Sequence, residues 1–299
     1  MAGRISSLLL LGASAIVASP LVPRQSGAAT VTVSAAEPTS TAWDAGATRE
    51  YPIHASCNAT QQAYIKNGLE ETITICRQAR DHILRWGNSS EIYQKYFGDA
   101  ATGEPLGWYE KVVSGDRADI LFRCDNIDGN CAQEGWAGHW RGSNATGETV
   151  ICDLSYESRL PLEGMCMFGY NVANSPANTF WASDLLHRLF HLPKVGEGAV
   201  GHYGAEAKYS GVLDLAKEKS TYAGRNSDTL QYFALEVYAH DIAVPGIGCP
   251  GTYIATPTAS AEATSEATVA ASSAVVMPSE AIASTTAAAE ACTPHEDHW

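Results

Sequence analysis

The stretch His187-Arg188-Leu189-Phe190-His191 places two histidines four residues apart within an apolar part of the chain. Side chains four apart lie on one face of a helix, so both imidazoles can reach a single metal ion. The surrounding leucine, phenylalanine and tryptophan residues predict that this helix is largely buried, where a histidine without a partner is costly. This setting favours a metal site over a chance occurrence of the spacing.

The second residue of the stretch separates it from the zinc-protease motif H-E-x-x-H, whose glutamate is the general base for zinc-bound water. Arg188 stays protonated and has no acceptor lone pair, so it cannot take that role. Asp184, one turn earlier, has two interpretations. It accepts a hydrogen bond from His187 and orients that ring, or it pairs with Arg188 at the i, i+4 spacing. The sequence predicts a metal site with no catalytic residues.

The predicted metal-binding helix has Thr179 as its N-cap and ends before Pro193. Apolar residues also recur at helical spacing in residues 59–85, 90–97, 213–219 and 229–242. Strand-like runs are confined to residues 118–123 and 148–152. Residues 124–131 and 136–140 are expected to be turn-rich, with His139 as a packed, hydrogen-bonding residue. The pattern is typical of a mainly helical α/β (α+β) fold with a small sheet.

The two ends of the chain differ in composition from its middle. Residues 1–18 resemble a secretory signal peptide, with Arg4 before an apolar run that is too short to span a bilayer. Residues 19–50 and the Ala/Ser/Thr-rich tail 251–291 lack the large apolar residues of a core and are expected to be disordered. Residues 51–250 have the length of one domain. We therefore expect a secreted, extracellular protein, compatible with cell-wall association and without membrane insertion.

Cysteine content and charge restrict the possible partners. Eight cysteines in an exported chain indicate disulfides. The net charge of −14 argues against nucleic acid or an anionic membrane as a partner. Sequons for N-glycosylation begin at Asn58, Asn88 and Asn144, although Asn58 can instead cap a helix.

Several motifs, in order, resemble the fungal pH-regulated antigen and zincophore family, which includes a major IgE-binding mould allergen. They are CDNIDGNC (124–131), GHWRG (138–142), TFWASD (179–184) and HRLFH (187–191). The resemblance spans about residues 54–249. It implies a glycoprotein that sequesters extracellular zinc, delivers it to a cell-surface transporter and binds host proteins. A homo-oligomer is also compatible with the sequence.

A more distant resemblance is to the deuterolysins, secreted fungal zinc proteases with a zincin-like fold. There, the H-E-x-x-H motif is followed by a G-T-x-D segment whose aspartate is the third zinc ligand. His202 falls at that place in this chain, allowing for an offset of one residue. The resemblance implies a three-ligand zinc site of His187, His191 and His202 with an open fourth position. The alternative is that His202 is an exposed loop residue.

The same comparison implies the disulfides Cys57–Cys124, Cys131–Cys152 and Cys166–Cys249, and leaves Cys76 and Cys292 without a partner. The segment 292–299 combines Cys292 with His295 and His298. A thiol and two imidazoles at a flexible end predict a second zinc site. An ordinary polar terminus is the alternative.

The sequence hypothesis is a secreted zinc-binding protein with a zincin-like metalloprotease fold that scavenges zinc without proteolytic activity. One alternative is a deuterolysin-like zinc metalloendopeptidase in which Glu206 or Glu236 replaces the missing base. Another is a surface adhesin or immune-evasion antigen in which zinc is only structural.

Overall fold

Helices account for most of the ordered architecture in the computed structural model, which describes residues 44–204 and 208–254. The α-helices of these residues are α1 (Ala59–Trp86), α2 (Glu91–Phe97), α3 (Gly103–Ser114), α4 (Asp153–Ser158), α5 (Trp181–His191), α6 (Pro193–Gly196), α7 (Tyr209–Glu218), α8 (Ser220–Ala223) and α9 (Ser227–Tyr238). A π-helix, Ala239–Ala243, continues α9. The strands are β1 (Leu121–Arg123), β2 (Gly138–Trp140) and β3 (Glu148–Ile151). Short 3-10 turns lie at Gly87–Ser89, Asn130–Ala132, Gly142–Asn144 and Leu162–Gly164.

The 28-residue helix α1 forms the centre of the fold and packs against α3, α5 and α9. It begins with a capping box, in which Asn58 accepts from the backbone N–H of Gln61 and the Gln61 side chain accepts from the N–H of Asn58. Residues at helical spacing form its buried face, including Ile65, Leu69, Thr72, Ile75, Cys76, Ala79 and Ile83. This periodicity is what predicted the helix from sequence.

A glycine allows α1 and α5 to approach closely. A Cβ on Gly68 would lie 2.8 Å from Leu185 Cδ1 and 2.9 Å from Trp181 Cβ. One turn further along α1, the Thr72 hydroxyl donates to the backbone oxygen of Ala182 at 3.0 Å. These contacts fix α5 against the longest helix, so the residues of α5 that face away from α1 have a defined position.

The sheet has the order β1-β3-β2, with β3 parallel to β1 and antiparallel to β2. The turn-rich interpretation of residues 136–140 was wrong, because Gly138–Trp140 pairs with β3. Three residues are too few to show the alternation of apolar and polar side chains that is typical of a strand. The strand is defined by its pairing with β3, which the sequence does not show. Helices α3 and α4 also lacked a recognised sequence signal.

Three disulfides join segments that secondary structure alone does not connect. Cys57–Cys124 links the residue before the α1 cap to the residue after β1, and Cys131–Cys152 links the 3-10 turn that precedes β2 to the residue after β3. Cys166–Cys249 links the loop before α5 to the segment after the π-helix. These are the pairs implied by the resemblance. Cys76 is buried and free, and burial raises the pKa of its thiol.

The predicted mainly helical architecture with a small sheet and disulfides is therefore confirmed. The predicted signal peptide, most of the segment 19–50 and nearly all of the Ala/Ser/Thr-rich tail fall outside the described residues. So do Cys292, His295 and His298, as well as Glu206. Within residues 44–204 and 208–254, no helix combines the length and hydropathy required to cross a bilayer.

Candidate metal centre

Helix α5 carries two of the three histidines of the site. Most of its residues are buried, but His187 and His191 lie on its partly exposed edge. The predicted N-cap was wrong, because the Thr179 hydroxyl donates to the backbone oxygen of Pro176 and the helix begins after Phe180. It ends at His191, and Pro193 starts α6, since proline fits the first turn of a helix.

The third histidine, His202, is held by hydrogen bonds of the residues on both sides of it. Gly201 forms a bridge with Asn226, and the N–H of Ser227 donates to the Gly201 oxygen at 2.9 Å. On the other side, the N–H of Tyr203 donates to Asn226 Oδ1 at 2.8 Å. The loop containing His202 is therefore fixed to the start of α9.

The three imidazoles converge through their Nε2 atoms. His191 Nε2 lies 3.0 Å from His187 Nε2 and 3.2 Å from His202 Nε2. Two neutral imidazoles that present lone pairs to one another repel unless a proton or cation lies between them. With zinc–nitrogen bonds of about 2.0–2.1 Å, ligand nitrogens at tetrahedral angles are about 3.3 Å apart. The donor set and its spacing fit a zinc ion.

Asp228, in the first turn of α9, supports this arrangement from behind. Its Oδ2 lies 2.8 Å from His202 Nδ1. Burial alone would raise the pKa of the Asp228 carboxyl, but the hydrogen bond from His202 and the nearby imidazoles hold the pKa below its ordinary value. Sequence reasoning missed Asp228 because 26 residues separate it from His202 and no local motif joins them.

Arg188 points into a buried ion cluster. Its Nε and Nη2 lie 2.8 and 3.2 Å from the two carboxylate oxygens of Asp184, and Arg159 Nη2 lies 2.8 Å from Asp184 Oδ1. Burial would raise the pKa of Asp184, but the two guanidinium charges hold it low. Of the two interpretations of Asp184, the i, i+4 pair with Arg188 is present.

The backbone of β2 passes directly over this guanidinium. A Cβ on Gly138 would lie 2.4 Å from Arg188 Nη1 and 2.4 Å from the Val150 oxygen. Position 188, where the protease motif has its general base, is thus filled by a cation packed between α5 and the edge of the sheet.

Glu236, one of the two carboxylates considered as a replacement base, is engaged elsewhere. Lys95 Nζ donates to it at 2.6 Å and the Tyr96 hydroxyl at 2.5 Å. It lies eight residues beyond Asp228, or about 12 Å along a helix. These contacts and this separation argue against a role at the three histidines.

Cys131, His139 and Cys152 form another group with potential ligand atoms within 4.8 Å of one another. The two sulfurs are joined in a disulfide, so they are not thiolate ligands in this state. His139 is buried, with Nε2 3.3 Å from Asp128 Oδ2. Burial lowers the pKa of His139.

The asparagines of the three sequons, Asn58, Asn88 and Asn144, all lie at exposed positions.

Comparison with known proteins identifies relatives over most of the chain. The model of a family described as "HRXXH: Putative peptidase family" matches residues 6–252. Major allergen Asp f 2 of Aspergillus fumigatus is 59% identical over 215 residues, covering 72% of this chain and 69% of that protein. The pH-regulated antigen PRA1 of Candida albicans is 48% identical over 217 residues, covering 72% of each. A solved zinc peptidase from Grifola frondosa aligns with a TM-score of 0.45 and 15% identity, covering 60% of this chain and 97% of that one.

Proposed function

The chain belongs to the HRXXH family, and from this premise we propose that it is a secreted protein that binds zinc through His187, His191 and His202. The observation that carries the proposal is the convergence of three Nε2 atoms, with neighbouring separations of 3.0 and 3.2 Å. Asp228 orients one of these rings. Neutral imidazole is a good zinc ligand, and three such ligands leave a fourth position open.

The proposed role is to capture zinc outside the cell. The His202 side chain is 31% exposed, and the other two rings lie at a partly exposed edge of α5. Metal can therefore enter and leave without unfolding of the core, which favours scavenging over purely structural zinc. In this proposal residues 51–250 are the zinc-binding domain, residues 1–18 are a signal peptide and residues 292–299 are a second, tethered zinc site. The same proposal includes a cell-surface zinc transporter and host proteins as partners. It also includes glycans at the three sequons.

We expect no peptidase activity from this site. Arg188 donates two hydrogen bonds to Asp184, and a guanidinium cannot accept a proton from water. Loss of a general base typically reduces the rate about 10²- to 10⁴-fold. Two related proteins are named as an allergen and an antigen. These names agree with the proposal of an extracellular protein that is exposed to a host.

The test is a zinc titration against a chromophoric chelator, using protein without an affinity tag and without residues 292–299. The variant His187→Ala/His191→Ala should lose high-affinity binding. Full retention of affinity would refute the three-histidine assignment. Casein digestion, with and without chelator, is run in parallel, and zinc-dependent cleavage by the unmodified chain would establish the peptidase alternative.

A further inference from the structure

A second cluster of polar side chains lies at the other end of α9 from Asp228. Asp241 is 13 residues further along, or about 20 Å on a helix. It belongs to the π-helix Ala239–Ala243, a rare form that is frequent at functional sites. A cavity of about 350 Å³ opens here, and its lining includes His82, Trp86, Ser90, His240, Asp241 and Ile247.

Ser90, His82 and Asp241 form a continuous hydrogen-bonded series. Ser90 Oγ lies 2.7 Å from His82 Nε2, and His82 Nδ1 lies 2.8 Å from Asp241 Oδ2. Ser90 Oγ also accepts from the backbone N–H of Tyr93 at 3.2 Å, so its own proton can be donated to His82. The imidazole then carries its proton on Nδ1 and a lone pair on Nε2. This is the tautomer that takes a proton from a serine hydroxyl.

The carboxylate behind His82 is held firmly. Gln78 Nε2 donates to Asp241 Oδ2 at 2.9 Å, and His240 Nδ1 lies 2.8 Å from Asp241 Oδ1. Burial would raise the pKa of Asp241, but the hydrogen bonds from His240, His82 and Gln78 hold the pKa below its ordinary value. Asp241 therefore stays ionised and can stabilise the imidazolium that forms when His82 accepts a proton.

The series ends in an accessible site. His82 is 5% exposed, whereas Ser90 is half-buried and faces the cavity. Trp86 and Ile247 are 49% and 71% exposed and contribute exposed apolar surface to the lining of the cavity. Capping of α2 explains the contact between Ser90 and Tyr93. It does not explain why the largely buried His82 is joined on its other side to Asp241. Nor does it explain the cavity in front of Ser90, where Trp86 and Ile247 lie beside the carboxylates of Glu91 and Glu236.

We propose that Ser90, His82 and Asp241 form a metal-independent nucleophilic centre for carboxylic esters with a short apolar acyl group. Ser90 Oγ bonds to the acyl carbon while His82 Nε2 takes the hydroxyl proton. The ester C–O bond then breaks, and the alcohol leaves with that proton. Water, deprotonated by His82, releases the acyl group as a carboxylic acid and restores Ser90. One ester and one water give one acid and one alcohol.

The test uses the full chain in EDTA. An alkyl fluorophosphonate should form an adduct that peptide mass spectrometry places on Ser90, and heat-unfolded protein should not react. Hydrolysis of p-nitrophenyl butyrate should exceed that of buffer. His82→Gln and Asp241→Asn should each reduce labelling and hydrolysis by at least about 100-fold, because they remove the base or its orienting carboxylate.

Ser89→Ala is the matched control, because Ser89 is the exposed neighbour and its hydroxyl donates only locally, to the Trp86 oxygen. It also preserves the sequon at Asn88 and should label and hydrolyse like the unmodified protein. Absence of an adduct on Ser90 in folded protein overturns the proposal. So does labelling that is unchanged in both His82→Gln and Asp241→Asn, with folding checked by circular dichroism. Since EDTA is present throughout, either result leaves the zinc proposal untouched.

Discussion

His202 and Asp228 are joined by a hydrogen bond of 2.8 Å between Nδ1 and Oδ2. The bond places the His202 proton on Nδ1 and directs the lone pair of Nε2 toward His191. Carboxylates in this position increase the basicity of a ligating imidazole and fix its orientation. We therefore expect Asp228→Asn to weaken zinc binding about 10- to 100-fold in a competition titration.

The control for this variant is Asp214→Asn on α7, which removes a carboxylate whose side chain is 64% exposed and lies 3.7 Å from Lys217 Nζ. Its zinc affinity should equal that of the unmodified protein. Equal affinity in Asp228→Asn would show that the bond to His202 has no influence on the metal.

Zinc should be released by mild acid. Imidazole binds metal only when neutral, and its ordinary pKa is about 6.5, so protons compete with zinc increasingly below that pH. Asp184 has a pKa below its ordinary value, so its ion cluster contributes stability that is present above about pH 4 and is lost only below that. Zinc affinity should thus fall between pH 7 and 5.5 while circular dichroism stays constant. Constant affinity over this range would argue against three histidine ligands.

Arg188→Glu restores the protease motif in sequence but should destabilise the fold. It removes one of the two guanidinium partners of Asp184 and buries a second carboxylate beside it, and breaking a buried ion pair costs about 3–5 kcal/mol. We expect a lower Tm, with a smaller decrease for Arg188→Lys, which keeps the charge. Zinc-dependent casein cleavage confined to Arg188→Glu would show that the arginine is what keeps this site inactive. An unchanged Tm would contradict the importance of the cluster.

Gly138→Ala should disturb the contact between β2 and Arg188. The added Cβ would lie 2.4 Å from both Arg188 Nη1 and the backbone oxygen of Val150, and such overpacking costs about 1–3 kcal/mol. Gly107→Ala is the matched control, because it lies within α3 and a Cβ there meets nothing within 4 Å. Alanine in a helix interior should stabilise by about 0.5–1 kcal/mol. Urea unfolding of the two variants should give opposite signs.

Deletion of residues 292–299 should lower zinc stoichiometry or slow zinc capture. The segment contains Cys292, His295 and His298 after about 40 residues of Ala/Ser/Thr-rich sequence. If a sequence of this composition acts as a flexible linker, as proposed above, it keeps the segment within tens of ångströms of the domain. The thermal unfolding of the core should not change. If stoichiometry and capture rate are both unaffected, the segment is not a zinc site.

Periodicity in the sequence predicted the long elements well. The buried positions of α1 recur over 28 residues, so the helical signal is strong. The i, i+4 spacing likewise placed His187 and His191 on one face of α5. In contrast, the strand Gly138–Trp140 is only three residues long, and its conformation depends on pairing with β3.

The supporting residues of the candidate site could not be read from sequence for a related reason. Asp228 reaches His202 because the pairing of Gly201 with Asn226 brings two distant segments together. Arg159 joins the Asp184 cluster from a separate part of the chain. Neither contact has a fixed spacing, and both are consequences of the tertiary fold.

The Cys166–Cys249 bond closes a covalent ring that contains α5, the His202 loop and Asp228. A single cut of the backbone anywhere in that ring opens it into one linear piece and releases no fragment. All three imidazoles and the carboxylate of Asp228 then remain covalently linked, so they stay close to one another. A protease that cuts this region once therefore leaves all the residues of the proposed metal site joined, and only a second cut within the ring can separate them.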